Sequence, residues 1–499
     1  MSSSKSSLKR NKKVSSNPEL LGFDLLYQLA YMSAVASAGL PRDQIFELAA
    51  KLPTTAAAYF KEVERLVHAM RYRYSEACRV VGERAAAPVM KSLLLRMASY
   101  LMSGEPEKSF LQHEATLQAE SYRNLYEGAL ESLKKWTDAF AALAVSSALI
   151  VVVASISTVI FELGNNFVLG LIVVMLMVNA GGVWVLWRAA PKEIKILDGP
   201  KGYLAQRLPR TLFIVLVPIV LILGAFMVVS SVPTGQVLIV CGLMLFPVGF
   251  FANRFDAKVT RLDGDIAIFL RVLGSTATSV GTTPTEALSK IDMRSVGNLS
   301  PAVKRLETDL LSKAKPDLCW NRFVNESGSE LIRRGVRIFT DGIRMGADAH
   351  AVGSRASFLA TEVQVLREKR KQVAQTFGWL TIAMHATIAF LLMFVIEIVS
   401  GFGDLVSNAG VGDIVGTSGG ASAASLTFSF GNMVFLRNLV VPVVVVLSFL
   451  NALAPKVADG GYAHKFFHYL SLTLLASGVA IMVAPWVGGW IFSATAAVP

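Results

Sequence analysis

Two stretches decide the fold: LAYMSAVASAGLP (29–41) and VLGSTATSVGTTP (272–284). Each runs apolar and then turns at a glycine followed by proline, and Gly39 and Gly281 are 242 positions apart. A second pair lies at the same offset, Gly104 in MSGEPEKSF (102–110) and Gly346 in RMGADAHAV (344–352). Both copies therefore place their two glycines 65 residues apart. Ala139, where one apolar run begins, maps onto Thr381, near the start of another. The chain thus carries an internal duplication of one unit, a helical bundle followed by a membrane helix, and repeats set architecture before single residues do.

The 499 residues are 53% hydrophobic and 17% charged, too apolar for an ordinary soluble protein. Charge is nearly absent from seven runs, at about 139–161, 168–187, 212–230, 237–252, 377–399, 435–453 and 469–491. Such runs suit helices crossing ~30 Å of hydrocarbon. The fourth and sixth are the weakest, carrying Pro247 and Pro442, breaks that neighbouring helices can tolerate. If the N-terminus is cytoplasmic, 47 of the 48 Lys and Arg lie inside, Arg437 being the exception, and the C-terminus lies outside. The net charge of +12 is then mostly this inside bias and does not point to nucleic acid. Anionic headgroups or an acidic partner account for it. Cys78, Cys241 and Cys319 are too few for a disulfide framework, and no apolar h-region follows the Ser/Lys-rich start, so no signal peptide is expected.

The expected fold is all-α: a polytopic membrane protein with about seven transmembrane helices and two duplicated cytoplasmic helical bundles. Residues 1–17 read as a disordered basic tail. Residues 18–138 form the first bundle, with Leu25, Leu29, Met32 and Ala36 as the apolar face of its first helix. Residues 139–252 hold four spans around a basic loop, 188–211. Residues 253–376 form the second bundle, whose first helix turns Ile266, Phe269, Leu270 and Leu273 inward. Residues 377–499 hold three spans and an outside loop, 400–433, rich in Gly, Ser and Ala. That loop is either a flexible connection or a surface touching a secreted subunit. Gly39, Pro41, Gly104, Gly281, Pro284 and Gly346 are structural turn residues at helix ends.

The chemistry missing from the sequence narrows function. There is no GxxxxGK[ST], HExxH or GxSxG and no Cys/His cluster at metal spacing, so no catalytic residue, cofactor or metal site is expected. His464 and His468 share a helix face without a third ligand. Ionisable groups in spans invite a functional reading. Glu397 and Arg437 either pair and pin two helices or reach the outer interface separately. Polar groups at mid-span amount to little beyond His385, Asn179 and Asn451, and no inverted repeat of broken helices is present. A secondary transporter or channel with large cytoplasmic domains is therefore the alternative, and a mechanical platform the first reading.

The turns Gly39-Leu40-Pro41 and Gly281-Thr282-Thr283-Pro284, with later breaks at Gly104 and Gly346, resemble the F domain of type II secretion platform proteins. Two such domains with about seven spans are most similar to the J-type platforms of the archaellum and of archaeal-type pili. The resemblance implies a non-enzymatic cytoplasmic-membrane protein for filament assembly and, in the archaellum case, rotation. It implies as partners a hexameric secretion ATPase, pilin- or archaellin-like subunits, the bilayer and further copies of the chain, a dimer being commonest, with no nucleic acid. Work would pass through continuous helices at 107–161 and 355–399. Candidate ATPase-docking residues are Arg188, Lys192, Lys195, Lys201, Arg207 and Arg210 of the basic loop and the cluster Arg333, Arg334, Arg337 and Arg344. Topology signal and solvated helix faces are the alternatives for these cations.

Overall fold

The computed structural model describes residues 18–161, 165–197, 204–408 and 433–496. The tail 1–17, Lys201, most of the loop expected over 400–433 and the side chain of Arg437 lie outside the described residues. The described helices are α1 (Pro18–Ala36), α2 (Arg42–Ala50), α3 (Ala57–Met70), α4 (Tyr74–Arg84), α5 (Pro88–Ser103), α6 (Glu107–Phe161), α7 (Asn165–Ala189) and α8 (Leu204–Val229). They continue with α9 (Thr234–Val280), α10 (Pro284–Leu288), α11 (Ser300–Leu311), α12 (Pro316–Ser327), α13 (Glu330–Arg344), α14 (Ala349–Asn408), α15 (Met433–Asp459) and α16 (Phe466–Ala496). Among the described residues no strand forms, and Ile196 and Ser329 make an isolated antiparallel bridge.

The protein is an all-α polytopic membrane protein. Helices α6, α7, α8, α9, α14, α15 and α16 are each long and apolar enough to cross a membrane. Every expected span falls in one of them, and the helices run on through Pro218, Pro247, Pro442 and Pro485. On α8, Ile222 is 71% and Val229 84% exposed. Such side chains are costly in water and cost nothing facing hydrocarbon.

The duplication sets the register of the helix starts. Arg42 and Pro284 open α2 and α10, Tyr74 and Pro316 open α4 and α12, Pro88 and Glu330 open α5 and α13, and Glu107 and Ala349 open α6 and α14, each pair at the same 242-residue offset as the glycines. Gly39 (φ 69°) and Gly281 (φ 66°) end the first helices in the left-handed region, as do Gly104 (78°) and Gly346 (86°) before α6 and α14. An added Cβ at these four positions would meet nothing within 4 Å, so glycine is needed there for its φ and not for space. One difference stands out: the fourth span and the first helix of the second copy are a single 47-residue helix, α9, with no break at 252.

The chain divides into two compact units, and α6, α9 and α14 have residues in both. Unit 1 comprises Met1–Ala129, Pro191–Leu204 and Ala257–Lys369, so that 130–138, 253–256 and 370–376 of the expected bundles fall in the other unit. The core of the first copy gathers Leu25, Leu29, Phe46, Phe60, Cys78 and Leu94. Helix α1 is buried on every side and not on one face as expected, because it packs both within its own copy and against α13 of the other. Its Gln28 is paired, donating to the Ala49 carbonyl (2.8 Å) and accepting from Thr54 (2.7 Å), and its Asp24 accepts from Thr55.

Unit 2 comprises Leu130–Ala190, Ala205–Asp256 and Arg370–Pro499. In it α15 packs on α16 and α7. Helices α9 and α16 approach so closely that a Cβ at Gly249 would strike the backbone of His468. Small residues permit such contacts where no hydrophobic effect drives helices together.

Candidate docking surface and its supports

The arginine cluster lies on α13, and the structure gives its members different surroundings. Arg334 is 4% exposed. Its Nη2 donates to Asp24 of α1 (2.7 Å) and its Nε to Glu330 (2.8 Å). The guanidinium sits over the rings of Phe23 (4.3 Å) and Tyr27 (4.9 Å). Asp24 also accepts from the Thr55 amide and hydroxyl, both at 2.8 Å. Arg334 therefore joins the first helix of one copy to α13 of the other and offers no surface to a partner. Beside it Tyr31 donates to Asp341 (3.1 Å). Burial pushes the Tyr27 hydroxyl up to about 12, and burial with the neighbouring Asp341 raises that of Tyr31.

The other three arginines are more open and already matched. Arg333 pairs with Glu330 (2.5 Å), Arg337 with Asp341 (3.5 Å), and Arg344 with Asp317 and, at 3.9 Å, Asp341. Charges neutralised on their own helix or its neighbour give a weaker field than the bare sequence implies.

The basic loop is split. Its first part, residues 191–197, is stitched to the second copy: Glu330 donates its amide to Lys195 O (3.1 Å) and Leu197 donates to Gly328 O (3.0 Å). Ser329, the N-cap of α13, accepts from the amides of Leu331 and Ile332 and donates its hydroxyl to Asp263. Glu193 accepts from Arg367 Nε (3.0 Å) and from the Tyr126 hydroxyl (3.2 Å), while Arg367 Nη1 donates to Asp263 (2.8 Å) and Nη2 to Ile194 O (3.2 Å). One loop carboxylate thus ties α6 to α14. Lys192 and Lys195 are half-buried and have partners of their own. Arg188 lies over Trp184 (5.9 Å), and Arg207 and Arg210 are exposed on α8.

Sequence reasoning missed Asp24, Glu193, Asp263 and Arg367. For Glu193 a signal existed, one of two acids in a basic loop; for the others none did, since their ionic partners are over a hundred residues away.

Within unit 2 the structure brings together His385 and Asn451, which composition alone singled out, and adds Ser448 and Ser477. Asn451 Nδ2 lies 2.9 Å from His385 Nδ1, and Ser477 and Ser448 oxygens lie 2.8 and 3.1 Å from Nε2. With Asn451 donating to Nδ1, the ring proton sits on Nε2 and is accepted by serine, a neutral arrangement suited to a fully buried site. These residues join α14, α15 and α16. Asn179 is elsewhere, donating to Ser147 (3.2 Å). Glu397 is half-buried against Gly488; its expected partner, the Arg437 side chain, lies outside the described residues. Among the described residues no group of three His, Cys, Asp or Glu could hold a metal.

The chain is similar to two known proteins over most of its length. It is 24% identical over 426 residues to flagella accessory protein J of Methanocaldococcus jannaschii, covering 81% of this chain and 73% of that one. It is 22% identical over 443 residues to flagella accessory protein J of Methanococcus voltae, covering 84% and 77%. No family model and no solved structure matches.

Proposed function

We propose that this chain, a flagella-accessory-protein-J-like membrane protein, is the platform on which an archaellum-type filament is assembled in the cytoplasmic membrane. The observation that carries the reading is the match over about four fifths of the chain to two proteins of that name. The sequence supports it by having no nucleotide-binding motif. Withdrawing a filament subunit from the bilayer moves ~20 apolar residues out of hydrocarbon. That work must come from a partner, here a hexameric secretion ATPase on the cytoplasmic side.

In this reading unit 1 faces the cytoplasm, the C-terminus lies outside, and pilin- or archaellin-like subunits meet the spans. The two duplicated F domains, 18–138 and 253–376, receive the ATPase. Motion passes along α6 and α14, which are unbroken for 55 and 60 residues. Of the docking candidates, Arg188, Arg207, Arg210, Arg337 and Arg344 keep exposed guanidinium groups. Glu397 and Arg437 pair across two spans, and the chain acts as a dimer.

Deletion of the gene in its host tests this. Loss of one filament type by electron microscopy, with its subunit still made and processed by immunoblot, is the expected result. Unchanged filaments of every type would overturn it.

A further inference from the structure

Most non-glycine residues avoid the left-handed region, and among the described residues Arg71 (φ 58°), Lys313 (φ 59°) and Ser231 (φ 56°) enter it. Arg71 and Lys313 are 242 positions apart, so they are the same position in the two copies. Each follows the last residues of the corresponding helix, α3 or α11, where glycine is the usual choice. Two residues on, the copies match again. Arg73 is the N-cap of α4 and Lys315 the N-cap of α12. A cation there opposes the positive end of the helix dipole, and Ser, Thr, Asp or Asn would satisfy the free amides.

The dipole at a helix C-terminus explains one cation per turn, Arg71 or Lys313. It does not explain the second, and it does not explain the absence of glycine. Two local rules are broken by a cation at the same two positions in both copies, although 71–78 and 313–320 share no identical residue: Cys78 aligns with Trp320 and Tyr74 with Pro316 across the offset. Sites where local preferences are overridden twice in the same way are sites held for something other than the fold.

All four cations are exposed, and among the described residues none is in an ion pair. Unlike Arg333, Arg337 and Arg344, they therefore present bare charge. Exposed apolar side chains stand beside each turn, Met70 (58%) and Tyr72 (40%) at the first, Leu311 (57%) and Leu318 (65%) at the second. Cations mixed with Met, Tyr and Leu fit the makeup of a protein contact better than that of a purely electrostatic headgroup patch.

We propose that the turns Arg71-Tyr72-Arg73 and Lys313-Ala314-Lys315 are a duplicated docking contact for an acidic surface of the ATPase partner. The identity of that partner rests on the assembly reading above. Two equivalent prongs on one chain suit a partner that presents the same acidic surface more than once, as a ring of identical subunits does.

The test uses the full-length protein in nanodiscs of neutral lipid and the purified secretion ATPase of the same host, with binding read by interferometry. Reversing one turn (R71E/R73E or K313E/K315E) is expected to weaken binding about tenfold or more, and reversing both to abolish it. A second variant separates docking from folding. R71G/K313G relieves the left-handed strain, so it is expected to melt at the same or a higher temperature and yet bind more weakly. Unaltered ATPase binding by the fourfold reversal would overturn the proposal. So would a variant that keeps the ATPase but loses sedimentation with phosphatidylglycerol vesicles, which would make the turns a headgroup surface. If the unchanged protein binds no ATPase, the assembly reading fails and takes this inference with it. If it binds and the variants bind equally, the docking assignment alone fails.

Discussion

Lys369 donates to Glu127 across 2.6 Å, and the two residues stand 242 positions apart, the offset of the duplication. A residue meets its own equivalent only where an axis relating the two copies passes between them, as at the centre of an isologous contact. Glu127 of α6 and Lys369 of α14 therefore mark a pseudo-two-fold seam within unit 1. Both side chains are over a third exposed, so the pair adds about 0–1 kcal/mol. Lys369→Ala should leave stability within about 0.5 kcal/mol of the unchanged protein. Cysteines at both positions should be joined within one chain by a short bis-maleimide. Crosslinks formed only between chains would remove the seam.

Arg334 and Arg344 differ in what surrounds them and should differ in what they cost. Arg334→Ala strands Asp24 and Glu330 in a buried site and should destabilise by about 3–5 kcal/mol. Arg344→Ala removes an exposed pair and should change stability by less than about 1 kcal/mol. Unfolding of unit 1 followed by limited proteolysis in detergent gives both numbers. Equal effects would contradict the buried assignment of Arg334.

Glu193 holds α6 and α14 together through Tyr126 and Arg367. Glu193→Gln keeps the shape and removes the charge. Trypsin should then cut after Lys192 or Lys195 faster than in the unchanged protein. An unchanged cleavage rate would mean that the backbone bonds to Gly328 and Glu330 hold the loop without Glu193.

The hydrogen bonds of His385 span three helices, and in membranes such bonds are worth less than their burial implies. A double-mutant cycle between His385→Ala and Ser477→Ala should give a coupling of about 0.6–1.7 kcal/mol. Additive single effects would show that the two groups do not act together.

Cys78 lies in the core of the first copy, and burial pushes its thiol up to about 12. A raised thiol pKa keeps the neutral, unreactive form. Iodoacetamide at pH 8 should leave Cys78 untouched in the folded protein and label it after denaturation. Labelling of the native protein would show that this core opens.

The sequence by itself determined the spans, the all-helical class and the register of the two copies. These follow from chain-local physics: runs without charge, a helical period in the apolar residues, and glycines where φ must be positive, as at Gly39 and Gly281. Tertiary structure alone decided what the charged residues do. Arg334 reads as a surface cation until Asp24, 310 positions away, meets it, and Glu193 reads as a stray acid until Arg367 does, 174 positions away. The burial of α1 on all sides was likewise decided by α13 of the other copy. Backbone preference is a property of a few neighbouring residues, whereas a charge is buried or bare according to which distant helix packs over it.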